Sequence, residues 1–92
     1  MVRREAHYRG RVQGVGFRYT ARTIAGRYRV TGYVENLTDG RVHLVAEGEP
    51  AEVDDFLAAV ADEMSGNIRD ATVDALAASG EYLSFEIRPT RT

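Results

Sequence analysis

The sequence contains no cysteine, and this absence limits the chemistry that the protein can perform. Without cysteine there is no thiolate nucleophile, no zinc–thiolate site and no redox-active pair of thiols. The chain also lacks an apolar run of membrane-spanning length, and its first ten residues, MVRREAHYRG, do not contain the apolar core of a signal peptide. We therefore expect a cytoplasmic protein that does not associate with membranes.

The overall composition of the chain is typical of one compact domain. The 92 residues are 43% hydrophobic and 28% charged. A chain of this length buries about 60 to 65% of its unfolded surface, which is enough for a stable core without disulfides or a structural metal. We therefore expect a single domain over residues 1–92.

Charge is distributed unevenly along the chain. Residues 1–33 carry eight arginines and one acid, a net charge of +7, whereas residues 34–92 carry four arginines and thirteen acids, a net charge of −9. The basic half is consistent with attraction of a small anion, and a solvated basic face would produce the same pattern. The acidic half argues against wrapping around an extended nucleic acid.

Hydrophobic spacing predicts the order of strands and helices. Residues 5–12, 30–37, 41–47 and 83–87 alternate with a period of two, and residues 68–79 do so weakly. Helical spacing covers residues 17–29 and the segment from Pro50 to about residue 65. This order, β-α-β-β-α-β with one further short strand, predicts an α+β fold: a ferredoxin-like split β-α-β sandwich, whose antiparallel four- to five-stranded sheet has two helices on one face.

The stretch RVQGVGFRYT, residues 11–20, interrupts the first strand pattern with two glycines. Gly14 and Gly16 would let successive backbone N–H groups curve around an anion, and the helix that follows would add its unpaired N–H groups. Arg18 would add a planar guanidinium that can bind two oxygens of a phosphate. A tight strand-to-helix turn with a surface arginine explains the same residues, so the spacing alone leaves both interpretations open.

The alternation of the second strand places Asn36 on the side of the sheet that faces the helices. It shares this face with Val30, Gly32 and Val34. A buried amide without partners costs on the order of 1 to 3 kcal/mol, so Asn36 needs partners. It bonds a nearby loop backbone, or it holds a water molecule in front of the anion.

Two separated stretches, GRVQGVGFR and TGYVENLTDGRVHLVAEGE, resemble the acylphosphatase family, small enzymes that hydrolyse the mixed anhydride of a carboxylic and a phosphoric acid. The resemblance covers residues 8–48, continues loosely through VDDFLAAV and resumes at FEIR. It implies the same sandwich fold, no metal or cofactor and no phosphoenzyme. It also implies the site residues: the backbone amides of Gly14, Val15, Gly16 and Phe17 cradle the phosphoryl group, Arg18 grips its oxygens, and Asn36 positions the attacking water.

The chemistry of an acyl phosphate fits this set of residues. Its leaving carboxylate has a pKa of about 4 to 5, so it departs without a strong general acid. The absence of a histidine or carboxylate near the loop therefore favours an activated anhydride over an ordinary phosphate monoester. The implied partners are a small-molecule acyl phosphate and the product inorganic phosphate, with a monomeric protein that binds no nucleic acid.

Two other groups of polar residues are interpreted as structural. His7 and His43 fall on the sheet face opposite Asn36 and form no metal motif, so we expect neither to be catalytic. The acidic run of residues 47–55 is interpreted as a solvated segment that favours the start of the second helix. Paired acid–base carboxylates or a cation site are the alternatives for that run.

The sequence departs from the family pattern in two places. MSGNIRDATVDAL stands where many family members have a Gly-Pro stretch, and a tail runs from Pro89 to Thr92.

Two rival functions remain open. One rival function is an accessory anion-binding module like those within hydrogenase-maturation proteins. The other is a sheet that binds single-stranded RNA, although only Tyr33 supplies an aromatic ring at its centre.

Overall fold

The computed structural model describes residues 1–90, and the end of the tail, Arg91 and Thr92, lies outside the described residues. Five strands and two helices follow one another along the chain: β1 (Val2–Gly10), α1 (Phe17–Ala25), β2 (Val30–Asn36), β3 (Val42–Gly48), α2 (Pro50–Glu63), β4 (Ile68–Ala77) and β5 (Phe85–Ile87). The strands form one sheet in the order β4-β1-β3-β2-β5.

The predicted sandwich is confirmed, because both helices pack on one face of the sheet around a single core. Each helix contributes a stripe at helical spacing, and the strands contribute their alternate residues. The buried core residues include Ala6, Tyr8, Val34, Leu44, Phe17, Ala21, Ile24, Val53, Phe56 and Val60.

The prediction of a purely antiparallel sheet is wrong at one edge. β5 pairs parallel to β2, with Phe85 opposite Gly32 and Ile87 opposite Val34. The reason is the connection after β4: residues 78–84 cross one end of the sheet from the β4 edge to the β2 side, so β5 runs in the same direction as β2. The other three strand pairs are antiparallel.

The ends of several elements also differ from the prediction, most of all those of α1 and β1. α1 ends at Ala25 rather than near residue 29, because the chain tightens there into short turns in which Arg27 N–H donates to Ile24 and Tyr28 N–H to Ala25. These turns keep Tyr28 in helical phase and half-buried, which explains the longer pattern. β1 begins at Val2 because this interior strand pairs from Val2 onward with both of its neighbours, with β3 as far as Tyr8 and with β4 as far as Gly10.

β4 forms as predicted, and its position explains its weak pattern. It is an edge strand, and residues 69–77 are exposed on both faces. Val73 on the helix side is 52% exposed and Leu76 on the other side is 47% exposed. Within residues 1–90, neither helix is long and apolar enough to span a lipid bilayer.

Candidate active site

The loop between β1 and α1 is held in the core at both ends and is exposed at its tip. Val12 and Phe17 are buried, and the Phe17 ring lies 5.0 Å from the ring of Tyr8. Between them Gly14, Val15 and Gly16 are exposed to solvent. The apolar side chains therefore fix the loop, while its backbone remains accessible.

The two glycines give the loop a shape that other residues would adopt only under strain. Gly14 has φ +73° and Gly16 has φ +78°, whereas Val15 between them does not have a positive φ. Alternation of backbone handedness allows successive N–H groups to turn toward one side, as they do in the backbone nests that bind anions. No atom lies within 4 Å of the position that a β-carbon would take on either glycine, so the space in front is open.

The backbone donors of this loop have no partner in the part of the chain that the structure describes. Within residues 1–90, the N–H groups of residues 14–18 donate no hydrogen bond, and no side chain caps the start of α1. The partial positive charge of the helix start adds to these free donors. The loop therefore offers free hydrogen-bond donors to a negatively charged group.

Arg18 is fixed beside this loop by the end of β5. Its Nη1 donates to the backbone oxygen of Arg88 at 2.9 Å, which leaves the other guanidinium N–H groups free to bind a ligand. No described carboxylate forms an ion pair with Arg18, so its charge is not neutralised internally. The contribution of Arg88 was not predicted, because it depends on the register of the last strand.

Asn36 lies at the same cavity as Arg18. The amide is 9% exposed at the end of β2, on the helix-facing side as predicted. Among residues 1–90 its side chain makes no hydrogen bond, so the alternative of a bond to a loop backbone does not form. The cavity has a volume of about 130 Å³ and is lined by Val12, Gly14, Gly16, Phe17, Arg18, Tyr19 and Asn36.

Val15 is the one predicted loop residue that does not line this cavity. Its side chain points outward and is 38% exposed. The structure thus brings Gly14, Gly16, Phe17 and Arg18 together with Asn36, and leaves the Val15 side chain at the rim.

Gln13 connects the loop to the hairpin that carries Asn36, and sequence reasoning missed it. Its Nε2 donates to the backbone oxygens of Leu37 at 2.8 Å and Arg41 at 2.9 Å. These carbonyls belong to the turn immediately after Asn36. The Gln13 side chain therefore ties the β1–α1 loop to the turn that follows Asn36.

The two histidines belong to a polar cluster on the opposite face of the sheet. The His43 ring contacts Glu35 through Nδ1 at 2.8 Å and Glu5 through Nε2 at 3.0 Å, and it is buried. His7 stacks on it with a centroid separation of 4.6 Å. This cluster is separated from Asn36 by the sheet itself, as the alternation of the strands predicted.

The interpretation of the acidic run is wrong for Glu47. Its side chain is 2% exposed and accepts hydrogen bonds from the backbone N–H groups of Ser79 and Gly80 at 2.9 Å. Arg3 Nη1 lies 3.2 Å from the same carboxylate. Glu47 is therefore a buried anion held by the crossing segment, a contact across 32 residues that local spacing does not reveal.

A split β-α-β sandwich that gathers free backbone donors, an arginine and an amide around one small cavity places the chain in the class of small α+β sandwich domains. The acylphosphatase family model matches residues 4–87 of this chain. An acylphosphatase from Synechococcus sp. is 42% identical over 97% of this chain and 95% of its own length. An acylphosphatase from Archaeoglobus fulgidus is 50% identical over 65% of this chain and 67% of its own.

Two solved structures also match this chain. The crystal structure of acylphosphatase from Bacillus subtilis superposes with a TM-score of 0.86 at 31% identity, covering 96% of this chain and 99% of that one. Full-length HypF, in a phosphate- and nucleotide-bound form, matches with a TM-score of 0.80 at 29% identity over 97% of this chain and 12% of its own. The chain belongs to the acylphosphatase family.

Proposed function

We propose that the protein hydrolyses the carboxyl–phosphate anhydride of acyl phosphates to a carboxylate and inorganic phosphate. The observation that carries this proposal is the shared cavity, which is lined by the loop glycines with their free N–H groups, by Arg18 and by Asn36. As a member of the acylphosphatase family, the chain is a hydrolase.

The loop and Arg18 would bind the phosphoryl group. Phosphoryl transfer through a loose transition state leaves the protein chiefly the work of positioning and charge stabilisation. The N–H groups of residues 14–18 and the guanidinium are donors aimed at the equatorial oxygens, and they need no reorganisation because other contacts already fix them. They supply the positive charge that the reaction needs, so we propose hydrolysis without a metal or cofactor.

Asn36 would position the attacking water. Its amide oxygen and NH₂ group have no competing partner among residues 1–90, so both are available to a water in front of the phosphorus. The oxygen of the water attacks in line as the bond to the carboxylate oxygen breaks, and the leaving carboxylate needs no general acid. The products are a carboxylate and inorganic phosphate, with no phosphoenzyme between them.

Hydrolysis of benzoyl phosphate by the purified protein with a chelator present tests this proposal. We expect turnover that the chelator does not reduce, and competitive inhibition by inorganic phosphate. A folded wild-type protein without activity would overturn the hydrolase assignment. Activity that disappears with the chelator and returns with a divalent cation would overturn the metal-independent mechanism.

A second candidate function is an accessory anion-binding module, which the likeness to one part of HypF favours. Such a module would bind phosphate at the same cavity but would not turn over acyl phosphates. Phosphate binding by a wild-type protein that shows no hydrolysis would therefore select this candidate.

We further propose a monomeric cytoplasmic protein that binds no nucleic acid. Tyr33 is the aromatic residue at the centre of the sheet face opposite the helices, and the Arg88 guanidinium already lies 3.6 Å from its ring centroid. The buried carboxylates of Glu35 and Glu47 share that face, which disfavours phosphate groups. A retardation assay with single-stranded RNA at low salt tests this expectation, and a shift that weakens as salt rises would contradict it.

A further inference from the structure

The rim of the anion cavity carries two exposed apolar side chains that phosphate binding does not use. Tyr19 lines the cavity and is 63% exposed, and Val15 at the loop tip is 38% exposed. Exposed apolar side chains beside a polar cleft are typical of a surface that a ligand covers. The part of an acyl phosphate that reaches them depends on the direction in which the leaving group departs.

In-line attack fixes that direction. The water and the leaving oxygen lie on opposite sides of the phosphorus, so the acyl group must point away from the water. Asn36 and Tyr19 both line the cavity, but Asn36 is 9% exposed and Tyr19 is 63% exposed. An acyl group that points away from a water held at the buried Asn36 leaves toward solvent, and Tyr19 is the exposed aromatic side chain of the cavity lining.

Tyr19 is held in place by its neighbour on α1. The guanidinium carbon of Arg22 lies over the ring, 5.4 Å from its centroid, and it occupies one face. The ring also borders a second cavity of about 240 Å³, which runs along α1 past Thr20, Thr23 and Ile24. Tyr19 thus separates the phosphate cavity from a larger, partly apolar recess.

We propose that Tyr19 forms a subsite for the acyl group and that this subsite favours flat aromatic acyl groups over small ones such as acetyl. This inference rests on the proposed hydrolysis. An aromatic acyl group stacks on the Tyr19 ring, and stacking of two aromatic rings adds to binding beyond the buried area. The contact is the same before and during bond cleavage, so it acts on KM rather than on kcat.

The test compares benzoyl phosphate with acetyl phosphate for the wild type and for the Tyr19→Ala, Tyr19→Phe and Leu83→Ala variants. Taking the ratio of kcat/KM for the two substrates cancels any general effect on folding or on phosphate binding. We expect Tyr19→Ala to lower this ratio by about 3- to 10-fold, mainly through KM for benzoyl phosphate, and Tyr19→Phe to keep the wild-type ratio. Leu83→Ala removes an apolar side chain that is 98% exposed far from the cavity, so it should not change the ratio.

An unchanged ratio in Tyr19→Ala, or an equal fall in Leu83→Ala, would overturn the subsite. These outcomes leave the proposed function intact, because both substrates would still be hydrolysed. Hydrolysis of neither substrate by the wild type would overturn both the function and the subsite.

Discussion

Two turns within residues 1–90 place backbone N–H groups beside an arginine, and only one of them binds a carboxylate of the described chain. At the crossing segment, Ser79 and Gly80, which has φ +72°, direct their N–H groups at Glu47, and Arg3 completes the arrangement. At the β1–α1 loop, the N–H groups of residues 14–18 lie beside Arg18 with no carboxylate among the described residues. The same combination of groups thus stabilises the fold at one turn and is free to bind a ligand at the other.

The occupied turn shows what such an arrangement does to an anion. Burial by itself raises the pKa of Glu47, but the backbone hydrogen bonds from Ser79 and Gly80, together with the Ser79 hydroxyl and Arg3, lower it overall. The donors therefore keep the carboxylate charged despite its burial. We infer that the open loop favours a charged phosphoryl group for the same reason.

The largest expected effect is on catalysis at the open turn. Arg18→Lys replaces a planar fork with a single ammonium, so the two-oxygen grip on the phosphoryl group is lost. We expect kcat/KM for benzoyl phosphate to fall by about 10³-fold, within the range seen for arginines that stabilise phosphoryl transfer. Thermal unfolding should change little, and a near-normal rate would show that Arg18 does not bind the substrate.

The filled turn should respond in the opposite way. Glu47→Ala leaves the Ser79 and Gly80 donors without their anion, and we expect a loss of about 3 kcal/mol in the free energy of unfolding. The rate per folded molecule should remain near that of the wild type. Glu49→Ala, at the exposed start of α2, is the matched control and should lie within about 0.5 kcal/mol of the wild type. Equal stability of the two variants would refute the role of the buried carboxylate.

Asn36→Ala separates positioning of the water from binding of the phosphate. We expect kcat to fall by about 10²-fold because the water loses its orientation. The inhibition constant of inorganic phosphate should change by less than about threefold, since the loop and Arg18 remain. A loss confined to phosphate binding would show that Asn36 binds the phosphate and does not position the water.

Gln13 should act through Asn36, and a double-mutant cycle tests this. Gln13→Met keeps the length of the side chain but removes the donor that holds Leu37 and Arg41, and we expect kcat to fall by about 10-fold. In the Asn36→Ala background the same substitution should cost almost nothing, because there is no amide left to position. An equal loss in both backgrounds would mean that Gln13 only stabilises the fold.

Changes in pH should separate stability from activity. Burial, followed by the electrostatic effect of the neighbouring His43 and Arg41, lowers the pKa of His7, so stability falls as pH drops below about 6.5. Burial raises the pKa of Glu5, but hydrogen bonds with His43 and Arg3 lower it overall. The pKa of Glu47 is lowered as well, so a second loss of stability begins as pH drops below the ordinary carboxyl pKa of 4.5. Both contributions are fully present above these values.

The rate of the folded enzyme should nevertheless be flat between about pH 5 and 8, because the amides and guanidinium in the cavity do not titrate there. Rates and urea unfolding curves measured across this range test both statements. A bell-shaped rate profile would implicate a histidine, and a protein that becomes more stable on acidification would contradict the lowered pKa values of His7 and Glu5.

The sequence predicted the open turn better than the filled one. Gly14, Gly16 and Arg18 lie within five residues, and the strand alternation that placed Asn36 on the helix side is equally local. Glu47, Gln13 and Arg88 were missed because each acts through side-chain or carbonyl contacts to residues at least 24 positions away. The parallel pairing of β5 was missed for a related reason, since a short edge strand carries no pattern that fixes its direction.

The most direct test is a titration of the isotopically labelled protein with inorganic phosphate, followed by the amide resonances of both turns. We predict that the backbone amides of residues 14–18 and the side-chain amide of Asn36 shift with one common dissociation constant, while those of Ser79 and Gly80 do not move. Phosphate that leaves the resonances of residues 14–18 unchanged, or that shifts Ser79 and Gly80 instead, would contradict the assignment of the open turn as the phosphate site.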